Sequence, residues 1–321
     1  MRQRLLITGA VVLGALVWVW AGQFLRASDG GSGFSLTTAQ SGPIVATAVV
    51  AALGIPALVM GLVISAQGHL LSGVFVVAAS LCVVAGRGGA IDGWLWHAAE
   101  ADALPERFSY LITELTVWQA GVVVMLAVIQ RLRSPMRSRF PALAFDDHLG
   151  VDTTIRFPQL NALASGLVCA VVAGVLCLVL IRDSDGGQVI CGLGLSFTIG
   201  AMVGQLIFAH TNPVGILFSP AVVAVAAYTW VLMKYDTTEQ VLAAWYHGQL
   251  PGPALGLPIH YASAAIVACT IGVGWAQVLQ GSAKVRQNHE GAVVQAADGL
   301  KGFRAYRQLH KKQPRRDRDR Q

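Results

Sequence analysis

Apolar residues in this chain come in long uninterrupted runs that short polar stretches separate. The runs are 17 to 23 residues long, whereas a core strand or a short core helix needs roughly 5 to 12 residues. A helix needs roughly 20 apolar residues to cross the hydrocarbon of a bilayer. The pattern therefore predicts eight spanning helices, at residues 5–25, 44–66, 70–86, 109–130, 161–181, 188–210, 213–233 and 260–280.

The composition agrees with this prediction. Of the 321 residues, 55% are hydrophobic and 12% are charged. The charged fraction is about half that of an average soluble domain. We therefore expect lipid to be the solvent for most of the chain.

Basic residues lie mainly on one side of the predicted spans. If Met1 faces the cytoplasm, 18 of the 23 Lys and Arg residues fall in inner segments, and five fall in outer segments beside nine carboxylates. Because cytoplasmic loops carry the excess of basic residues, we predict an integral protein of the plasma (inner) membrane with both termini in the cytoplasm. The first span also resembles a signal peptide, but Phe24 and Leu25 stand where small residues precede cleavage. We predict that this span is retained.

The chain repeats itself. The Arg-x-Ser-Asp-Gly-Gly stretch of residues 26–31 returns at 182–187, residues 61–75 align with 204–218, and Trp96-His97 aligns with Tyr246-His247. The shared order of these windows indicates a tandem duplication. Four spans per copy put both copies in the same orientation, related by a pseudo-twofold axis along the membrane normal. We predict an all-α integral membrane protein, an eight-helix bundle of two parallel four-helix repeats.

The duplication divides the chain into four parts. The first repeat covers residues 1–130 and the second covers 161–280, with a basic cytoplasmic linker at 131–160 and a basic cytoplasmic tail at 281–321. The linker suits either an element at the anionic inner surface or an ordinary solvated connection. The tail has 11 Lys and Arg residues against four carboxylates, which suits anionic lipid headgroups or an acidic protein partner. No motif indicates a specific nucleic acid.

The repeated polar stretch predicts a structural turn at the outer surface. Glycine pairs can take the positive φ of a tight turn, and an aspartate can accept hydrogen bonds from nearby backbone amides. The arginine can reach from its helix end to the headgroups. We assign these roles to Arg26, Asp29 and Gly30 in the first copy, and to Arg182, Asp185 and Gly186 in the second.

Glu114 is the one carboxylate inside a predicted span, about five residues from its outer end. A charge in hydrocarbon costs roughly 2.5 kcal/mol or more at mid-depth, so we expect this side chain to face the bundle interior or to be protonated. The other possibility is a shallow side chain that reaches outward. Its counterpart in the second repeat is Ala264. With the amide of Gln119 it forms a candidate solute path. Gln205 and His210, near the inner end of the sixth span, are further path candidates.

His97 and His247 occupy matching positions in corresponding outer loops. Imidazoles brought together across the pseudo-twofold axis could bind a transition metal or relay protons, with Glu100 and His260 as further ligands. The interpretation that we favour is simpler. The aromatic residues around both histidines form amphipathic helices at the membrane interface, and the histidines are part of that aromatic belt.

The sequence predicts no cofactor. The five cysteines all lie within spans and contain no C-x-x-C pair, so we expect them to be small packing residues. No nucleotide-binding loop or hydrolase motif is present.

Three functions remain open. The duplication and Glu114 favour a small-solute transporter or channel with a path between the repeats. The scarcity of polar residues within the spans favours a non-catalytic membrane scaffold or complex subunit that docks through its basic tail. The outer histidines allow a membrane enzyme or redox carrier.

Overall fold

Each long apolar run forms a helix. The computed structural model describes residues 2–21, 24, 34–37, 39–67, 70–89, 91–99, 104–139, 159–209 and 211–281. The regular elements of these residues are helical. They are α1 (Arg2–Ala21), α2 (Pro43–Gln67), α3 (Leu70–Arg87), α4 (Ile91–Ala99), α5 (Leu104–Arg139), α6 (Leu160–Leu180), α7 (Gly186–Ile207), α8 (Val214–Lys234), α9 (Thr238–Tyr246) and α10 (Pro258–Gly281).

Seven of these helices, α2, α3, α5, α6, α7, α8 and α10, are long and apolar enough to cross a bilayer. The apolar part of α1, Arg4–Trp20, is shorter than the other seven. The described length of α1 therefore does not establish the predicted first span as a membrane-spanning helix. The described chain is therefore a helical, multi-pass membrane protein. The predicted linker after Arg139, up to residue 158, and the tail from residue 282 lie outside the described residues.

Helix α6 has an exposed apolar face, as expected of a helix in contact with lipid. Leu163, Leu167 and Val171 stand three or four residues apart on one face and are more than half exposed. The opposite face is buried and consists of small residues, among them Ser165 and Cys169. A Cβ added at Gly204 of α7 would lie 2.6 Å from the Ser165 carbonyl oxygen. Helices in lipid associate through such close contact of small residues, because lipid supplies little hydrophobic driving force between them.

The helices form two groups that α5 and α10 join. The helices α1, α2 and α3 pack on one another, and α6 packs against α7 and α8. Helix α5 packs against both α2 and α8, and the first turns of α10 pack against α3 and α7. Residues 1–276 consequently form one compact unit.

Two nine-residue helices, α4 and α9, meet at one end of the bundle. The rings of Trp96 and Trp245 are in edge contact, 6.0 Å between centroids. The Trp245 indole also donates to Asp92 Oδ1 over 3.2 Å. Nearby, the Leu104 amide at the start of α5 donates to Thr238 Oγ1 of α9 over 3.2 Å. We call this end of the bundle the α4/α9 end.

Candidate functional site

Glu114 lies inside the bundle and is 2% exposed. Its two carboxylate oxygens accept hydrogen bonds from the Ser35 hydroxyl and, over 3.2 Å, from the Trp118 indole. The Ser35 hydroxyl oxygen in turn accepts a 3.2 Å hydrogen bond from the Thr37 amide. Of the two positions that the sequence allows for Glu114, the structure therefore has the interior one. Within the described ranges, no basic side chain is among these partners.

The donors from residues 34–37 come from the connection between α1 and α2. The Phe34 amide donates to the Gly88 carbonyl over 3.0 Å, at the end of α3. Phe34, Ser35 and Leu36 are all buried. A Cβ at Gly88 would lie 2.6 Å from the Phe34 ring, so glycine lets this segment pass close to the helix end. The segment thereby reaches down to Glu114 from the α4/α9 end.

Buried aromatic rings lie beside this carboxylate. Tyr228 of α8 is close enough to Glu114 for a direct electrostatic interaction. Its ring is 6.0 Å from that of Phe108 and 6.5 Å from that of Tyr261. The row of rings continues to Trp94 beyond Phe108. These rings connect α4, α5, α8 and α10 around the site.

The polypeptide before α10 is buried although it is not α-helical. Residues 252–257 are all buried. The hydroxyl of Tyr261 donates to the Pro253 carbonyl over 2.5 Å, and the Tyr228 hydroxyl donates to the Gly256 carbonyl. Irregular backbone at membrane depth persists only where protein or water satisfies its polar groups. The two tyrosines satisfy two of the carbonyls here.

Helix α10 contains an irregular turn near its start. Residues Tyr261–Ala265 form a π-helix, a feature that is frequent at functional sites. The preceding residue, His260, is fully buried. Its Nδ1 accepts a 3.1 Å hydrogen bond from the Leu257 amide, which leaves the ring proton on Nε2, near the carbonyls of Ala85 and Gly89. The start of α10 therefore lies beside the end of α3.

The other predicted path residues lie apart from this cluster or outside the described residues. Gln119 donates to the Leu217 carbonyl of α8 over a long 3.5 Å, so it links α5 to α8. Gln205 is buried near the end of α7 and donates to the carbonyl of Thr211 over 3.4 Å. His210 lies outside the described residues.

His97 and His247 lie on or at the end of the two short helices α4 and α9. The aromatic residues around both histidines predict short helices here. His97 is half-buried on α4, and His247 is exposed at the end of α9, with its ring 5.5 Å from that of Tyr246. Among the described residues, no group of three or more His, Cys, Asp or Glu side chains could hold a metal ion. Glu100 lies outside these residues, so a metal at these histidines remains a sequence prediction.

The second copy of the repeated turn caps a helix. Asp185 Oδ1 accepts hydrogen bonds from the amides of Gly187 and Gln188, 2.8 and 3.1 Å away. Arg182 is exposed and its Nε donates to the Val179 carbonyl over 2.9 Å, at the end of α6. The expected positive φ is wrong for Gly186, because this residue already begins α7. The first copy, with Arg26, Asp29 and Gly30, lies outside the described residues.

All five cysteines are free thiols. Cys169 of α6 accepts a hydrogen bond from Ser219 of α8 over 3.0 Å, and Cys269 of α10 lies 3.9 Å from the same hydroxyl. Three helices therefore meet at small, weakly polar side chains, as expected for packing residues.

Comparison with protein-family models, with curated proteins and with solved structures finds no match to this chain.

Proposed function

We propose that this protein is an eight-helix transporter or channel for a small solute, with a path between two parallel repeats and Glu114 on that path. The observation that carries the proposal is the burial of Glu114 on α5, the helix that packs against both α2 and α8. Ionisable groups inside a membrane are costly, so they are retained mainly where they line substrate or ion routes.

The order of the helices supports two repeats. Three long helices, a nine-residue helix and another long helix occur twice, as α1 to α5 and as α6 to α10. One pair of contacts corresponds between the repeats, because α5 packs on α8 and its counterpart α10 packs on α3, the counterpart of α8. A pseudo-twofold axis would relate these two contacts. In this proposal both termini lie in the cytoplasm and the α4/α9 end lies outside, which the distribution of basic residues supports.

The basic tail is the proposed contact with anionic headgroups or with an acidic protein. The second candidate function, a non-catalytic scaffold or complex subunit, uses the same tail. It is favoured by the completeness of the hydrogen bonds to Glu114, since a purely structural carboxylate would be satisfied in this way. Deletion of residues 282–321, followed by recovery of copurifying proteins, tests tail docking, which predicts that the partners are lost.

Flux through reconstituted protein separates transport from scaffolding. We would measure proteoliposome swelling with urea and glycerol, and proton entry with an entrapped pH dye. The transporter proposal predicts flux above that of empty liposomes for at least one of these solutes. Glu114→Gln should lower this flux at least about tenfold, equivalent to ~1.4 kcal/mol.

The matched control is Glu106→Gln. Glu106 lies on the same helix but is exposed, so the same chemical change should leave the flux unaltered. Flux equal to that of empty liposomes for every solute would contradict transport. Equal flux in the wild type and in Glu114→Gln would remove Glu114 from the path.

A further inference from the structure

A chain of hydroxyl groups joins Glu114 to a partly exposed residue in the connection between α1 and α2. The Ser35 hydroxyl donates to Glu114 Oε2, and the hydroxyl oxygens of Ser35 and Thr37 are 2.7 Å apart. Ser35 is buried, whereas Thr37 is partly exposed. Side-chain oxygens in hydrogen-bond contact therefore connect the buried carboxylate with a partly exposed side chain towards the α4/α9 end.

The hydrogen bonds fix the direction of this chain. A hydroxyl group has one proton and two acceptor lone pairs. The Ser35 proton is directed to Glu114, and the Ser35 oxygen already accepts a 3.2 Å hydrogen bond from the Thr37 amide. Its second lone pair therefore accepts from the Thr37 hydroxyl, and the protons point from Thr37 through Ser35 to the ionised carboxylate. Once Glu114 is protonated, both hydroxyls can turn and the chain runs in the opposite direction.

The other oxygen of the carboxylate has a partner that cannot pass on a proton. Glu114 Oε1 accepts a 3.2 Å hydrogen bond from the Trp118 indole. An indole N–H is a donor only, without a lone pair that takes up a second proton. A hydroxyl group both donates and accepts, so it can receive one proton while it gives up another. The route for protons is therefore on the Ser35 side of the carboxylate.

The ionisable side chains on the helices around Glu114 have other hydrogen-bond partners or are at least partly exposed. Those with other partners are Asp92 of α4, Tyr228 of α8, and His260 and Tyr261 of α10. Those that are partly or fully exposed are Arg87 of α3, His97 of α4, Glu106 and Arg107 of α5, and Lys234 of α8. Helix α2 contains no ionisable residue.

We propose that Thr37 and Ser35 form a proton relay between the α4/α9 end and Glu114. A hydronium ion gives its proton to the Thr37 oxygen, the Thr37 proton moves to the Ser35 oxygen, and the Ser35 proton moves to Glu114. One proton enters, one is delivered, and water and a neutral carboxyl group remain. The inference rests on the proposed path, and it names H⁺ as the ion that this path exchanges at Glu114.

The test follows the protonation of Glu114 in the full-length protein in detergent. A light flash releases protons from a caged acid, and time-resolved infrared absorption records the C=O band of the protonated carboxyl, which is assigned by its loss in Glu114→Gln. Thr37→Val removes the hydroxyl with little change of shape. It should slow the rise of this band about a hundredfold, the lower end of what a positioned proton-transfer group contributes. Thr37→Ser keeps a hydroxyl and should keep the rate.

The control is Thr116→Val, which removes an exposed hydroxyl of α5 and should leave the rate unaltered. A relay also predicts that the titration midpoint of the band in Thr37→Val stays within about one pH unit of the wild type, equivalent to ~1.4 kcal/mol. A midpoint that shifts as far as the rate falls would show that Thr37 acts on acidity, and would overturn the relay. Equal rates in the wild type and Thr37→Val, or no titrating Glu114 band while the protein stays folded, would overturn it as well.

These results separate this inference from the proposed function. Protonation of Glu114 that depends on the Thr37 hydroxyl, without flux of any solute, would support the relay and count against transport. Flux that depends on Glu114, with equal protonation rates in the wild type and Thr37→Val, would leave transport standing and overturn the relay.

Discussion

The hydrogen bond between Ser35 and Glu114 should contribute measurably to stability, because both residues are buried, at 1% and 2% exposure. Ser35→Ala removes one donor and leaves an acceptor position of the carboxylate empty inside the bundle. Leaving a buried acceptor without its donor costs about 1–3 kcal/mol. We expect Ser35→Ala to lower the free energy of unfolding by that amount. In Glu114→Gln the same serine substitution should cost less, because the carboxyl group that contacts the serine is already absent.

The assay is unfolding in mixed micelles of increasing SDS content, followed by circular dichroism. The double-mutant cycle of Ser35→Ala and Glu114→Gln should give a coupling energy of about 1 kcal/mol or more. A parallel cycle with Glu106→Gln should give a coupling near zero, because Glu106 is exposed on the same helix. A coupling below about 0.5 kcal/mol in the first cycle would show that the contact does not hold the segment in place.

Three further substitutions test the packing by the same unfolding assay. Gly204→Ala should destabilise the protein by about 1–3 kcal/mol, because the new Cβ meets the α6 backbone at 2.6 Å. In the control Gly194→Ala, on the same helix, the new Cβ meets nothing within 4 Å, so this variant should be more stable by up to about 1 kcal/mol. The reverse order of the two stabilities would contradict the close approach of α6 and α7. Trp245→Phe removes the hydrogen bond to Asp92 of α4 and should cost about 0.5–1.5 kcal/mol. The control Trp275→Phe changes an exposed ring and should leave the free energy of unfolding unaltered. Equal losses in the two variants would count against the hydrogen bond. His260→Phe keeps a ring but leaves the buried Leu257 amide without an acceptor, which should cost about 1–3 kcal/mol. His260→Asn restores an acceptor and should recover part of this loss. Equal losses in the two variants would show that the acceptor is unimportant.

The helices were predictable because the bilayer demands uninterrupted apolar runs. The predicted spans 70–86 and 161–181 match Leu70–Arg87 and Leu160–Leu180 within one residue. The predicted span 109–130 is much shorter than α5, Leu104–Arg139. Apolar runs measure the part of a helix in hydrocarbon, whereas α5 continues at both ends into polar sequence. The two short helices were predictable as well, because their aromatic clusters are typical of an interface.

The candidate site was predictable only in part. A lone carboxylate within a span identifies Glu114, and Trp118 could have been found as its i+4 neighbour on one helix face. Ser35 could not, because it lies 79 residues away in a connection without any periodic pattern. The buried segment 252–257 was missed for a related reason. Its two glycines and its proline are typical of a loop. The partners that satisfy its buried backbone include two tyrosine hydroxyls and the His260 ring, which no local pattern predicts.

The two proposed repeats differ in chemistry at one aligned position near the site. In the first repeat this position is Glu114, on regular helix, where Ser35 donates to the side chain. In the second it is Ala264, within the π-helical turn of α10. Tyr228 and Tyr261 donate to the carbonyls of Gly256 and Pro253, in the irregular segment that precedes this helix. A carboxylate in one copy and irregular backbone in the other both require polar partners inside the bundle. Duplicated helices that served only to pack would need neither, so the divergence at this position favours a site over a scaffold.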